Sequence, residues 1–298
     1  MPDAAVTVVL PTRDRPRLLA DALGSLLAQT RSDWRAIVVH DGPVPATDLA
    51  LVPTDPRIEL LALEEPRGAA ATRNRALPLV GTPFVAFLDD DDRFRPDHLA
   101  RALAALEAGA EVTVSGCQYV EETVEPTGDR RATGTTWAYD PSPYSDTRLA
   151  AGNFIPLPSV CCRTDALAQA GPFDEGLTVY EDWELLLRLC PNRAVQVLPE
   201  PTVEVSVRPA ADSLSRAEPL ATWLECFDQV CQRYPAWSWP VQLGRTHTRL
   251  EILIRMARPG DFDAEAYLAA NPDVAQAGVD PVRHAVLHGF REGRVRVG

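Results

Sequence analysis

Short β-branched apolar runs, each closed by polar residues and followed by a stretch with helical spacing, recur through the first 115 residues and leave few folds open. Residues 6–10 form the first run, ended by Pro11. Over residues 15–29, apolar side chains fall at 18, 19, 22, 23, 26 and 27, the period of an amphipathic helix. Residues 34–39 and 58–63 predict two more strands, and 67–77 an alanine-rich helix. A fourth strand, 84–88, runs into four consecutive acids and a helix from about Pro96, where proline suits the first turn. Residues 111–114 predict a fifth strand. Strands alternating with helices imply right-handed crossovers and a mainly parallel sheet. Both faces of such a sheet are covered, so its strands read as unbroken apolar runs. The expectation is a Rossmann-like, doubly wound α/β fold.

The alternation stops after Tyr119. Residues 121–150, rich in Thr, Pro, Gly, Asp and Arg, read as a long loop or β excursion, a length usually tied to function. Order returns with a strand at 159–162, a short helix from Thr164, a helix over 181–189, and two short strands near 195–198 and 203–207. This places a first domain at 1–208 and a helical extension at 209–258, broken by Pro235 and Pro240. A small helical module at 259–298 follows, punctuated by Asn271-Pro272, Gly278 and Gly289.

Charge narrows the partners. With 29 Lys and Arg against 42 Asp and Glu, the formal charge is −13, which repels nucleic acid and anionic lipid unless positive charge is concentrated locally. No run approaches the roughly 20 apolar residues of a membrane helix. Met1-Pro2-Asp3-Ala4 lacks the charged start of a signal peptide. The six cysteines form no CxxC pair, and buried thiols in a reducing cytoplasm are the expectation.

Open parallel sheets bind ligands at the carboxyl ends of their strands. The polar residues here gather at those ends: Pro11, Thr12, Arg13 and Asp14 after the first strand, His40-Asp41-Gly42 after the second, Arg67 after the third, and Asp89, Asp90, Asp91 and Asp92 after the fourth. Four adjacent carboxylates repel one another unless a counter-charge is present. A hard divalent cation, held by one or two carboxylates and completed by phosphate and water, would supply it. An acidic helix start, favoured by the helix dipole, is the plainer alternative.

The stretches VTVVLPTRDRPRLLADALGSLLAQT, WRAIVVHDG, RGAAATRNRAL and FVAFLDDDDRFRPDHL resemble, in this order, the inverting family 2 glycosyltransferases of the GT-A fold. So does NFIPLPSVCCRTDALAQAGPFDEGLTVYEDWELLLRL, the resemblance spanning roughly residues 5–205. It implies a nucleotide-diphosphate sugar donor, a glycan or other hydroxyl acceptor, and Mn2+ or Mg2+ as cofactor. Carried onto this chain, Pro11, Thr12, Asp14, Asp41, Arg67 and Asp90 would line the nucleotide, and Asp89 and Asp91, the ends of the D-x-D motif, would face the metal. Asp182 would be the general base, with Glu181 and Trp183 against the sugar or acceptor. His40, Asp14 and Pro43 depart from the residues frequent in this family. The Q-x-x-R-W motif of its membrane-embedded polymerases is missing, so processive synthesis is not expected.

A non-catalytic sugar-nucleotide or glycan-binding protein on the same fold is the rival reading. A nucleotidyltransferase is disfavoured, since no glycine-rich phosphate loop follows the first strand. Arg73 and Arg75 could meet phosphate or simply lie in solvent, Trp137 and Tyr139 could stack on sugar or pin their loop, and His284 with His288 could form a metal pair. The last forty residues resemble an NPDV…EGR module appended to bacterial surface-polysaccharide enzymes, for which a packing or interaction role is expected.

Overall fold

A computed structural model of the chain describes residues 4–45, 52–124, 130–208, 219–256, 264–279 and 281–284. The chain forms two compact units, divided between Ala217 and Glu218.

The first unit is built on a nine-stranded sheet. Strands β1 (Val6–Thr12), β2 (Trp34–His40), β3 (Ile58–Ala62) and β4 (Phe84–Phe87) alternate with helices α1 (Pro16–Leu27) and α2 (Ala69–Ala76). After β4 come β5 (Arg93–Phe94), α3 (His98–Glu107), β6 (Val112–Val124), β7 (Arg130–Tyr139), α4 (Asp146–Ala151), β8 (Val160–Arg163), α5 (Thr164–Ala170), α6 (Glu181–Leu189) and β9 (Val195–Val207). The spatial order is β3-β2-β1-β4-β8-β6-β9-β5, with β7 paired to β6.

The first four strands are parallel, as their apolar runs predict. Strands β1 and β2 pair from Val6↔Trp34 to Thr12↔His40, so their carboxyl ends finish level. β2 lies on one side of β1 and β4 on the other, which makes β1 the switch point where such sheets take ligands. One face of this sheet packs against α1 and α3 through Leu19, Leu23, Leu26, Leu99, Leu103 and Leu106. Each buried leucine contributes on the order of 1.5–3 kcal/mol, which fixes the strands that carry the rim.

Beyond β4 the pairing is mixed. β8 runs antiparallel to both β4 and β6, while β6 and β9 are parallel. β6 continues ten residues past the predicted end at 114, and its partner β7 turns the first part of the polar segment into a ribbon. The ribbon is held by cross-strand aromatic pairs: Tyr119 stacks on Trp137 at 5.2 Å and meets Tyr139 edge-on. The two short strands predicted near 195–207 are one strand, bent where the β6–β9 register shifts around Gly116. A Cβ on Gly116 would lie 2.3 Å from the Pro199 carbonyl oxygen, so only glycine permits this approach.

The second unit contains α7 (Leu220–Arg233), α8 (Trp239–Met256), α9 (Ala264–Ala270), α10 (Pro272–Gln276) and α11 (Pro281–His284). α7 and α8 are the two helices expected around the Pro235–Pro240 break, with Pro240 in the first turn of α8. Arg249 pairs with Asp228 at 2.9 Å, and the buried Arg245 donates to the Cys231 and Tyr234 carbonyls. The His284 ring meets the Tyr267 hydroxyl at 3.0 Å; His288 lies outside the described residues. No described helix is long and apolar enough to cross a membrane. None of the six cysteines forms a disulfide, and all but Cys231 are buried.

Candidate active site

The rim over β1, β2 and β4 is tied together by its own polar residues. At the end of β1 the buried Thr12 hydroxyl donates to Asp90 at 2.8 Å, and the Thr12 carbonyl accepts from the Asp41 N–H at 2.9 Å. Asp41 is buried and accepts from the backbone N–H groups of Arg67 at 2.6 Å and Gly68 at 3.1 Å. It thus fixes the turn that opens α2 and leaves little of its carboxylate exposed. Gly42, at φ +113°, packs close against Pro66, a backbone conformation that suits glycine. His40 is buried with its Nδ1 on the Gly42 carbonyl oxygen at 3.0 Å and its Nε2 accepting from the Asp14 N–H at 3.3 Å. Asp14 itself is exposed, Pro11 is half-buried, and the exposed Arg67 side chain pairs with Glu175 at 2.7 Å.

The acid run has its counter-charges within the protein. Asp89 pairs with Arg73 at 2.7 Å, Asp90 with Arg15 at 3.3 Å, and Asp91 with Arg15 at 3.3 Å and with Arg208. Arg130 donates to the Asp91 carbonyl at 2.7 Å and pairs with the buried Glu122 at 2.7 Å. Burial, reinforced by the neighbouring Asp91, pushes Asp90 up to about 6. Burial and the adjacent carboxylates also raise Asp92 well above the ordinary range, against the Ser206 N–H that it accepts. The run therefore relieves its repulsion in two ways, by arginine pairing and by holding protons where it is most buried.

Arg73, which the sequence leaves open between phosphate contact and solvent, does neither alone: it is buried and bridges Asp89 at 2.7 Å to Glu181 at 2.8 Å. Its guanidinium also lies over the Phe173 ring, whereas Arg75 is exposed. Glu181 opens α6, following Tyr180 in a left-handed conformation at φ 64°. Burial pushes Glu181 up to about 7, outweighing the attraction of Arg73. Asp182 beside it accepts from both the Asn153 amide, at 3.1 Å to each oxygen, and the Trp183 N–H at 2.7 Å. Burial nonetheless raises its pKa.

Trp183, expected against the sugar, is instead fully buried, and its indole N–H donates to the Leu149 carbonyl at 2.7 Å. A large indole at this spacing fills the core under α6 and seats Asp182, offering no face to a ligand. Arg15, Arg130, Arg208 and Asn153 escaped the sequence reading. The three arginines were foreshadowed only by the charge the acid run demands; Asn153 carried no local signal.

Asp89 and Asp91 are the carboxylates that a hard divalent cation would meet, and both are engaged by arginine. Asp89 and Asp91 supply carboxylate oxygens, and among the described residues no group of three or more His, Cys, Asp or Glu converges as a cage. Such a cation would be held by these carboxylates together with phosphate and water, the usual mode for Mg2+.

The glycosyl transferase family 2 profile matches residues 7–164, more than half of the chain. The chain belongs to that family. Among curated relatives, the UDP-Glc:α-D-GlcNAc-diphosphoundecaprenol β-1,3-glucosyltransferase WfgD of Escherichia coli is 34% identical over 31% of this chain and 37% of its own. The chain spans about a third to two fifths of the first curated relatives' length, 34–40%. Among solved structures, S. aureus TarS (residues 1–349, with UDP-GlcNAc) superposes with a TM-score of 0.66 at 17% identity, over 97% of this chain and 92% of that one. The mannosyltransferase PcManGT of Pyrobaculum calidifontis, with GDP-Man and Mn2+, gives 0.58 at 15% identity, over 97% and 85%. These likenesses establish the GT-A fold.

Proposed function

We propose that the protein transfers a sugar, with inversion, from a nucleoside-diphosphate donor to a hydroxyl of a glycan acceptor in bacterial surface-polysaccharide assembly. The observation that carries the reading is the Arg73 bridge. One buried guanidinium joins Asp89, on the donor rim, to Glu181, the neighbour of Asp182. The two halves that the reaction must bring together are thus separated by a single side chain.

In this reading Pro11, Thr12 and Asp41 line the nucleoside, with Asp41 acting partly through the turn it holds at Arg67 and Gly68. Asp182 is the general base. Its raised pKa makes it a better proton acceptor than an exposed aspartate, while Asn153 and the Trp183 N–H fix its orientation. The acceptor oxygen attacks the anomeric carbon, its proton passes to Asp182, and the bond to the diphosphate breaks on the opposite face. The departing diphosphate gains negative charge, and Arg15 and Arg208 stand beside Asp91 where that charge would be met. A divalent cation held by Asp89 and Asp91 would add Lewis-acid stabilisation of the same leaving group. The Mn2+ bound in PcManGT and the nucleotide sugars bound in TarS and PcManGT support these assignments by likeness. We propose residues 259–298 as a separate packing or interaction module.

A thermal-shift panel of UDP, GDP, dTDP and CDP, each with and without Mn2+, tests the reading. One nucleotide should stabilise the protein, by about 2.7 kcal/mol at 100-fold its dissociation constant, and more with metal than without. If none of the four does so in either condition, donor binding is wrong and the non-catalytic glycan-binding reading replaces it.

A further inference from the structure

Asp182 stands at the start of α6, yet a different stretch of chain orients it. The Asn153 amide donates to both of its carboxylate oxygens at 3.1 Å. Asn153 is exposed and lies two residues past the end of α4, with Gly152 before it. A glycine and an exposed asparagine hold little of a loop in place by their own packing. A displacement of about 0.5 Å would take both contacts out of hydrogen-bonding range. The amide therefore needs an anchor elsewhere.

Arg148 on α4 supplies it. Its guanidinium donates to the carbonyls of Pro141 at 2.8 Å and Pro143 at 3.1 Å, and to the Tyr139 hydroxyl at 3.0 Å. The same group lies over the ring of Phe154, the residue next to Asn153, at 4.0 Å. Its backbone N–H is accepted by the Ser145 hydroxyl, which caps α4. One planar cation thus joins the end of β7, the turn that follows and the neighbour of Asn153. The Trp183 indole N–H, on the Leu149 carbonyl, fastens the next residue of α4 to α6. A lysine offers no rigid fork and no flat face, so it could not make this set of contacts together.

We infer that Arg148 is a positioning residue for Asp182: by fixing Phe154 it keeps the Asn153 amide on the carboxylate. The catalytic consequence rests on the reading of Asp182 as the base, whereas the coupling of Arg148 to Asp182 does not. The amide donates to the ionised form, so it favours charge on Asp182 against the burial that disfavours it. The other charged groups that bear on this carboxylate are Arg73 from α2, Asp89 from the acid run and Glu181 on α6 itself. None of the three belongs to residues 139–154.

The test reads the carboxyl directly, by NMR titration of the nucleotide-free full chain carrying carboxyl-labelled aspartate. The Asp182 signal is identified by its loss in Asp182→Asn. Asn153→Ala should raise the Asp182 midpoint by about one pH unit, and Arg148→Met should raise it in the same direction. The two substitutions together should titrate as Asn153→Ala alone, since Arg148 acts through the amide that is gone. Arg148→Lys keeps the charge and loses the fork; it should follow Arg148→Met, whereas a direct effect of charge would leave it at the wild-type midpoint. An unshifted midpoint in Arg148→Met, or shifts that add to that of Asn153→Ala, overturns the proposal. Should circular dichroism show Arg148→Met misfolded, Arg148→Lys with and without Asn153→Ala makes the same comparison. Normal turnover by Asp182→Asn alongside a shifted midpoint in Arg148→Met would keep the coupling and overturn its role in catalysis, so the two readings fail separately.

Discussion

The two halves of the first unit build their polar sites by different means. In β1 to β4 the candidate residues sit at or beyond the carboxyl ends of parallel strands, Pro11 and Thr12 being the last two residues of β1, and the sheet is locked by leucines from α1 and α3. In the second half, Glu181 and Asp182 sit at the start of a helix, reached through a left-handed Tyr180 and oriented by a loop amide, Asn153. Strand ends give a rim whose geometry follows from the sheet itself. A helix start reached through loops depends on a few specific contacts, and one of them, Arg73, belongs to the other half. The strand-end rim should therefore tolerate local change, whereas the helix start should respond sharply to single substitutions.

The largest effect should come from Asp182→Asn, which keeps the shape and removes the proposed base. Nucleotide release from the preferred donor should fall by about 10² to 10⁴-fold, while nucleotide affinity measured by calorimetry stays close to wild type. Normal turnover in this variant would move the base elsewhere and dissolve the distinction between a binding half and a reacting half.

Arg73→Met attacks the join. It leaves Asp89 and Glu181 without their shared cation in a buried setting, a loss on the order of 3–5 kcal/mol in chemical denaturation. Adding Glu181→Gln to Arg73→Met should recover part of that loss, because one stranded charge is gone. If the two substitutions are simply additive, the bridge does not couple the halves.

How much of this was legible follows the same division. The parallel strands, the rim residues and the Glu181-Asp182 helix were readable, since buried strands and amphipathic helices write their period into the sequence. The ribbon was readable only as one of two alternatives, a long loop or a β excursion, because its stability lies in pairs such as Tyr119 with Trp137, eighteen positions apart in a polar, turn-rich stretch. Trp183, which the resemblance sets against the sugar or acceptor, is buried under α6 by packing that includes the Leu149 carbonyl, more than thirty positions away. Arg15, Arg130 and Arg208 converge on the acids from three separate elements, and only tertiary structure brings them there.

Gly116→Ala sharpens the contrast at the level of backbone. The bend it permits carries β9 past β6 toward Arg208, and an added methyl would meet the Pro199 carbonyl. A loss of about 1–3 kcal/mol is expected from thermal melts, with overpacking as the cause. Gly81, with open space at its Cβ position, is the matched control in the first half and should change little.

The smallest effect expected is a dependence on pH whose sign is unusual for an acid. Glu181 has an ordinary value of 4.5 and is pushed up to about 7 in the folded protein, chiefly by burial. Between those two values the folded state holds a proton that the unfolded chain has released. Stability is then greatest below about 4.5 and declines as pH rises through 7, the reverse of a salt-bridged carboxylate. Asp90 and Asp182, also raised, act in the same direction. The melting temperature of the nucleotide-free protein should fall between pH 5 and pH 7.5, and Glu181→Gln should flatten that slope without abolishing it. An unchanged slope would mean that Arg73 holds Glu181 ionised throughout, making the bridge a permanent ion pair. A flattened one makes the joint between the halves a titrating element, in which protonation of Glu181 leaves Arg73 to Asp89 alone.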